Sequence, residues 1–153
     1  MTIKETAGKI LLVLYSLQIE NPIKLKNDLI LIKTIDRPVI EGNDGVAGWL
    51  HKITDDDTRL YNGLQYLFDK HLIAKSNNKN AMGAYLIRGL YVTDLGLDII
   101  QGVEQGEESQ KKLKSLFNFN FTISPKIQVD SLVKAEVGNI VGVGGAIGGK
   151  LSL

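Results

Sequence analysis

The chain has 153 residues, 44% apolar and 23% charged, which suits one globular domain with a substantial core. It contains no cysteine, which excludes disulfides, thiolate nucleophiles and cysteine-ligated metal sites. No run reaches the roughly 18 uninterrupted apolar residues of a membrane span, so we expect a cytoplasmic protein without a transmembrane segment.

The charge is spread evenly along the chain. Residues 1–104 carry 12 Lys/Arg and 13 Asp/Glu, which sums to −1, and residues 105–153 carry 6 and 4, which sums to +2. Proteins that bind duplex DNA tightly usually present a basic face, because neutralising phosphates supplies most of their nonspecific affinity. The charge distribution therefore argues against strong nonspecific binding to DNA.

The first predicted element is a core helix over residues 3–18. Thr2 and Glu5 have the spacing of a capping box, in which each side chain satisfies a backbone donor of the first turn. The apolar residues of this helix lie on nearly all sides, which predicts a central position, and the Asn-Pro pair at 21–22 ends it. The apolar run at 29–32 is compatible with a short buried strand or with a helical turn.

The middle of the chain alternates helical and extended patterns. We predict helices over 46–53 and 55–71, a polar turn at 75–80, a strand at 84–92 and a further helix at 93–101.

Three consecutive aspartates, Asp55, Asp56 and Asp57, open the longer of the first two helices. Carboxylates at a helix N-terminus cap it and interact favourably with its dipole, by about 0.3–1 kcal/mol each. The same charges repel DNA phosphates, although salt screens this over about 8–10 Å. We predict that the aspartates start the helix and weaken DNA binding as a side effect.

The C-terminal third has a different pattern. Residues 116–124 alternate apolar and polar side chains, which predicts an amphipathic strand. Its apolar face needs a partner surface, so we predict that it mediates assembly. The residues of this face are Phe117, Phe119, Phe121 and Ile123. Residues 133–141 suggest a short helix ahead of a glycine-rich tail. Packing within the chain or contact in a homo-oligomer is the leading interpretation of this tail, and membrane contact and loose ordering stay open.

The order of elements in residues 1–104 resembles the winged-helix superfamily. Two helices joined by a tight turn form a candidate helix-turn-helix. The Leu-Ile pair at 72–73, a polar segment and the stretch Val92-Thr93-Asp94-Leu95-Gly96 are similar to the end of a bacterial winged-helix regulator, with Thr93 capping the next helix. The resemblance implies that Leu72–Lys75 pair with Tyr85–Arg88 across a wing.

This resemblance defines the predicted fold and domains. The fold is α+β: a winged helix-turn-helix domain at 1–104, a linker or helical extension at 105–115, and a C-terminal strand with a Gly-rich tail at 116–153.

The resemblance also implies candidate DNA contacts. The second helix of a helix-turn-helix pair enters the major groove, and the wing touches the backbone. Asn and Gln bond adenine edges, and Arg59 reaches a guanine or a phosphate. The candidate DNA-binding residues are Thr58, Arg59, Asn62, Gln65, Tyr66, Lys75 and Lys79. The same residues are equally compatible with a solvated face of an amphipathic helix and a polar turn.

Other motifs do not support a catalytic or metal site. Gly144 to Lys150 fits G-x-x-x-x-G-K, but Leu151 replaces the Ser or Thr of a phosphate loop. His51 and His71 fit no metal-ligand spacing, and His71 lies on the apolar face of the predicted helix, which predicts a core histidine. We expect no enzyme activity, no cofactor and no metal.

Two functions are compatible with the sequence. The first is a dimeric winged-helix transcriptional regulator that binds double-stranded DNA, with the wing lysines on the DNA backbone. The second is a winged-helix interaction or oligomerisation module without DNA binding, whose C-terminal segment contacts a protein partner or a second copy. The common use of the fold favours the first, and the near-neutral charge favours the second.

Overall fold

A computed structural model describes residues 2–102, 107–117, 121–122 and 140–141 of the chain. It is a mixed α+β structure. In these ranges the helices are α1 (Ile3–Glu20), α2 (Pro22–Asn27), α3 (Gly45–Ile53), α4 (Asp57–Asp69), α5 (Asp94–Gly102) and α6 (Glu107–Phe117). The strands are β1 (Leu29–Lys33), β2 (Val39–Ile40), β3 (Ile73–Ala81), β4 (Ala84–Val92), β5 (Phe121–Thr122) and β6 (Ile140–Val141).

The main sheet is antiparallel, with the strand order β2-β1-β4-β3. Helices α1, α3 and α4 pack together on the side of the sheet that Ile30, Ile32 and Ile87 face, and α2 also packs against β4. None of the helices in the described ranges is both long and apolar enough to cross a bilayer.

Helix α1 is the centre of the core, as predicted. The Thr2 hydroxyl accepts from Glu5 N at 3.1 Å, and Glu5 Oε1 accepts from Thr2 N at 2.8 Å, which completes the capping box. Every residue from Thr6 to Ser16 is buried, because α1 touches α3, α4, α6 and the sheet. The helix ends at Glu20, and Asn21 then caps α2.

The apolar run at 29–32 is a strand. Ile30 and Ile32 are buried, whereas Leu29 and Leu31 face outward, 43% and 36% exposed. This strand therefore has apolar side chains on both faces, fully buried on one and partly exposed on the other.

The predicted wing register is wrong. Residues 75–80 are not a turn but part of β3, and Tyr85 pairs with Asn80, and Arg88 with Asn77. The turn is the two-residue loop at 82–83, which fixes the register by closing the Ala81–Ala84 pair. Polar residues are compatible with β3 because it is an edge strand with one side open to water.

Gly89 marks a change of side-chain phase in β4. Ile87 is buried and Arg88 is exposed, yet Leu90, two residues beyond Arg88, is buried. The φ of +67° at Gly89 is in the left-handed region, and a β-carbon there would lie 2.5 Å from the Lys26 carbonyl oxygen. The glycine thus lets Arg88 face outward while the end of the strand joins the core.

The prediction of a core histidine at 71 is wrong. Helix α4 ends at Asp69, and His71 is exposed with a φ of +60°. The His71 N–H donates to Phe68 O and the Leu72 N–H donates to Leu67 O, each at 3.0 Å, which is the Schellman pattern of helix ends. The left-handed residue breaks the helical phase, so Leu72 is buried in place of His71.

Helix α5 begins as predicted. The Thr93 hydroxyl accepts from Gly96 N at 3.1 Å and donates to His71 O at 2.7 Å. Gly96 is required by close approach, since a β-carbon there would lie 2.6 Å from the Leu72 carbonyl oxygen. The Thr-x-x-Gly stretch therefore joins α5 to the start of β3.

The C-terminal predictions are partly wrong. Residues 116–117 are the last turn of α6 rather than a strand, and Phe117 is fully buried. Beyond Phe117, only β5 of the predicted strand is described, and it pairs in parallel with β6, where a short helix was predicted. The predicted assembly residues Phe119 and Ile123, and the Gly-rich tail, lie outside the described residues.

Candidate nucleic-acid interface

The three aspartates at the start of α4 differ in their roles. Asp56 is the N-cap, and its carboxylate accepts from Arg59 N at 3.2 Å. Asp55 is exposed and lines a shallow cavity together with Arg37 and Asp56. The predicted capping role is confirmed for Asp56, and Arg37 lines the same cavity as Asp55 and Asp56.

Asp57 instead joins three elements. Its Oδ1 lies 2.8 Å from His51 Nε2, and its Oδ2 accepts from Ile40 N at 3.1 Å. The other ring nitrogen of His51 lies 2.9 Å from the Gly42 carbonyl oxygen. Both neighbours of the ring are acceptor oxygens, so either ring nitrogen can donate to the oxygen beside it. This cluster ties β2 and α3 to the first turn of α4.

The side of α4 away from the core is a polar ridge. Its residues lie within a narrow sector of the helix, because residues three, four and seven apart share a face. The ridge consists of Thr58, Asn62, Gln65 and Asp69. Thr58 and Asp69 are exposed, and Asn62 and Gln65 are half-buried. Asp69 is the only charged member, so the ridge itself attracts no phosphate.

Tyr66 and Arg59 lie on one flank of this ridge. The Tyr66 hydroxyl donates to the Leu116 carbonyl oxygen at 2.6 Å, and its ring meets Phe117 edge-on, with centroids 6.3 Å apart. Burial raises the pKa of Tyr66, which keeps the hydroxyl protonated as a donor. Arg59 Nε lies 3.7 Å from Asp56 Oδ2. The end of α6 therefore occupies the Tyr66 side of α4.

The other flank of α4 forms a polar cleft with β3 and β4. The cleft has a volume of about 410 Å³. Its lining residues are Thr34, Tyr61, Gln65, Lys75, Asn80, Gly83, Ala84 and Tyr85. Gln65 Nε2 donates to the Tyr85 hydroxyl at 3.3 Å, and Tyr61 meets Tyr85 edge-on at 6.4 Å. Burial, and then the neighbouring Tyr61, raise the pKa of Tyr85, so this hydroxyl also stays neutral.

We call residues 73–92 (β3, the turn and β4) the hairpin. It contains three cations, Lys75, Lys79 and Arg88, and no Asp or Glu. All three are exposed. Lys75 Nζ lies 4.5 Å from the centre of the Phe68 ring, which holds the ammonium beside α4. The hairpin is therefore the acid-free cationic element next to the polar ridge.

The structure brings together part of the predicted set. Gln65 and Lys75 line one cleft, and Thr58 and Asn62 continue the same side of α4. Lys79 lies farther along the hairpin, and Tyr66 lies on the opposite flank, engaged by α6. The sequence prediction missed Tyr61 and Tyr85, because the pairing of Tyr85 with Asn80 depends on the turn at 82–83.

Comparison of the chain with models of protein families, with curated proteins and with solved structures gives no match.

Proposed function

We propose that residues 2–92 form a winged helix-turn-helix module that binds double-stranded DNA. In this proposal α3 and α4 are the helix-turn-helix and the hairpin is the wing. Its cations contact phosphates, and the ridge of α4 faces the base edges. The observation that carries the proposal is the acid-free cationic hairpin beside a ridge of neutral hydrogen-bonding side chains.

The order of elements supports this assignment. Two helices, two short strands, two further helices and a two-stranded hairpin follow one another, and β1 pairs with β4 so that the hairpin joins one sheet with β1. The bond between Gln65 and Tyr85 and the Lys75–Phe68 contact hold the hairpin in place beside α4. A duplex that meets the ridge therefore also meets the hairpin.

The charges predict weak, salt-sensitive binding. The hairpin contributes +3, whereas residues 55–70 contain two cations and four acids, which sums to −2. Phosphate contacts by Lys or Arg release counterions, so affinity falls as salt rises, with a slope of about 0.9 per contact. The contribution of the hairpin to this salt slope is limited to three contacts, those of Lys75, Lys79 and Arg88.

The test is the binding of the purified protein to mixed-sequence duplex fragments, followed by fluorescence anisotropy from about 50 to 200 mM salt. We expect saturable binding at the low end that weakens steeply as salt increases. Absence of binding at about 50 mM salt would sink the DNA proposal.

A second candidate is an interaction module without DNA binding. The packing of α6 on the Tyr66 flank favours it, because α6 takes part of the helix surface that a DNA groove would contact. In this case the segment after Phe117, including Phe119, Phe121 and Ile123, mediates assembly.

Light scattering of the full chain tests this second candidate. Replacement of Phe119 and Phe121 by Ser is expected to convert an oligomer into a smaller species. Phe117 is left unchanged because it belongs to the core, so its replacement would report on folding. A wild-type chain that is monomeric throughout removes the support for assembly.

A further inference from the structure

We propose that the outer face of the main sheet docks an acidic amphipathic helix of a protein partner. This surface lies on the side of the sheet opposite α1, α3 and α4, and it shares Lys79 and Arg88 with the cations of the hairpin. We call it the outer sheet face and define it by Leu29, Leu31, Lys33, Lys79, Leu86 and Arg88. The inference does not depend on DNA binding.

The strand register places these side chains on one surface. In antiparallel pairs, directly opposed residues share a face. Leu31 is opposite Leu86, which is opposite Lys79, and in the next row Leu29 is opposite Arg88. Leu29 and Leu31 are exposed and alternate with the buried Ile30 and Ile32, which fixes the outward direction of both rows.

The apolar centre of this face is unusual for an open sheet. The solvated side of an antiparallel sheet is normally polar, whereas near-continuous apolar runs are typical of strands covered on both faces. The run Leu29 to Ile32 has the second pattern, and Leu86 extends it onto the next strand. Ile35 and Met82, 73% and 98% exposed, add apolar surface near the end of the hairpin. A partner that covers Leu29, Leu31 and Leu86 would bury this apolar surface.

The charges around the leucines select the kind of partner. Lys79 and Arg88 border Leu86 and Leu29 along the sheet, and both are exposed. Lys33 follows Leu31 in β1, and Glu41 lies 3.6 Å from its ammonium. A partner with leucine-like residues on one face and carboxylates beside them matches both the apolar centre and the cationic border.

Two other occupants fit less well. A second copy packed face to face brings Lys79 and Arg88 close to the same cations of its neighbour, and like charges repel. A single-stranded nucleic acid gains most of its affinity from stacking on aromatic rings, whereas the centre of this face consists of leucines. Charge complementarity therefore favours the acidic helix.

The test uses the full chain and a labelled synthetic peptide of about five helical turns. The peptide has Leu on one face and Glu on both flanks, and a matched peptide carries Lys in place of each Glu. We expect saturable binding of the Glu peptide, with methyl shifts confined to Leu29, Leu31 and Leu86. The Lys peptide should bind at least about tenfold more weakly.

Variants distinguish binding at this surface from nonspecific binding of the peptide. Leu31→Thr keeps strand propensity and should weaken Glu-peptide binding by about tenfold, and Arg88→Gln by a smaller, salt-dependent factor. The matched control is Ile3→Thr on α1, since Ile3 is 42% exposed and α1 lies on the other side of the sheet. It should bind like the wild type, and thermal melts confirm that each variant is folded.

Several results overturn the proposal. The first is a Glu peptide that does not bind, or that binds Leu31→Thr as well as the wild type. A Lys peptide of equal affinity also removes the charge argument. If Leu31→Thr instead converts a dimer to a monomer, the face belongs to a second copy. If it abolishes binding of a DNA duplex or single strand, the face belongs to nucleic acid.

Discussion

Helix α4 and the hairpin lie side by side, but they differ in whether their charged side chains make contacts within the protein or are exposed. Around α4 three charged side chains are engaged within the protein: Asp56 caps the helix, Asp57 contacts His51 and Ile40 N, and Arg59 lies close to Asp56. In the hairpin, three exposed cations occur without a single acid. The charged residues at the start of α4 therefore connect neighbouring elements, whereas those of the hairpin are exposed cations.

This difference changes the place where DNA affinity is expected. The helix with the sequence pattern of a DNA reader contributes neutral hydrogen-bonding groups, which supply specificity but little attraction. In the proposed function the hairpin supplies the attraction. We therefore propose that a duplex is held first by the hairpin and only then meets the ridge of α4.

The largest expected effect is on stability and concerns Asp57. Asp57→Ala leaves His51 Nε2 and Ile40 N without their acceptor, so we expect a loss of about 2–3 kcal/mol in the free energy of unfolding. Urea denaturation measures this loss, and Asp57→Asn, which keeps one acceptor oxygen, should lose less. A stability equal to the wild type in Asp57→Ala would show that the cluster contributes nothing.

Next is the removal of the two outer negative charges. Asp55→Asn with Asp56→Asn should raise DNA affinity by about fivefold to tenfold at low salt, because Asn caps a helix as well as Asp does. The melting temperature should stay close to the wild type, and anisotropy at several salt concentrations measures the gain. Unchanged affinity would mean that DNA does not approach the start of α4.

Tyr66→Phe distinguishes a packing residue from a DNA contact. Loss of the bond to Leu116 O should cost about 1 kcal/mol of stability without changing DNA affinity. The raised pKa of Tyr66 means that the folded state keeps a proton that the unfolded state releases above about pH 10. Stability therefore falls as pH rises beyond 10, and Tyr66→Phe should show a smaller fall. A drop in DNA affinity in this variant would place Tyr66 in the interface.

The smallest effect concerns the joint between the two regions. His71→Gly relieves the left-handed backbone at the end of α4 and should stabilise the protein by about 1 kcal/mol, without altering DNA binding. Thermal unfolding measures the gain, with His71→Ala as the matched comparison that keeps the β-carbon. Destabilisation by glycine would show that the His71 side chain has a contact of its own.

Local chemistry made part of this structure predictable. The capping box at Thr2 and Glu5, the cap at Thr93 and the strand at 84–92 depend on residues close in sequence, and all three are present. The α+β class follows from these elements.

The errors have non-local causes. The hairpin register depends on which pair of residues makes the turn. The polar residues of β3 were predicted as a turn because an edge strand can have the polar composition of a loop. The predicted burial of His71 assumed that α4 continues to residue 71, whereas the left-handed backbone at His71 ends the helical spacing of apolar side chains. Phe117 alternates with polar neighbours as in a strand, but its contact with Tyr66, 51 residues earlier, makes it the end of a helix.

The candidate site was predictable by residue type but not by role. Thr58, Asn62 and Gln65 do share one side of α4, whereas Tyr66 faces α6. The cleft with Tyr61 and Tyr85 exists only because β4 passes beside α4, which no local pattern encodes. The prominence of the hairpin cations likewise depends on the absence of acids across both strands.

The most direct test of the central claim is the salt dependence of duplex DNA binding in two double variants. One removes hairpin cations (Lys75→Gln with Lys79→Gln), and the control removes the same charge from exposed positions on α6 (Lys111→Gln with Lys112→Gln). We predict that the hairpin variant lowers the slope of log affinity against log salt by about 1.8, while the control keeps the wild-type slope. Equal slopes in the two double variants would contradict the account.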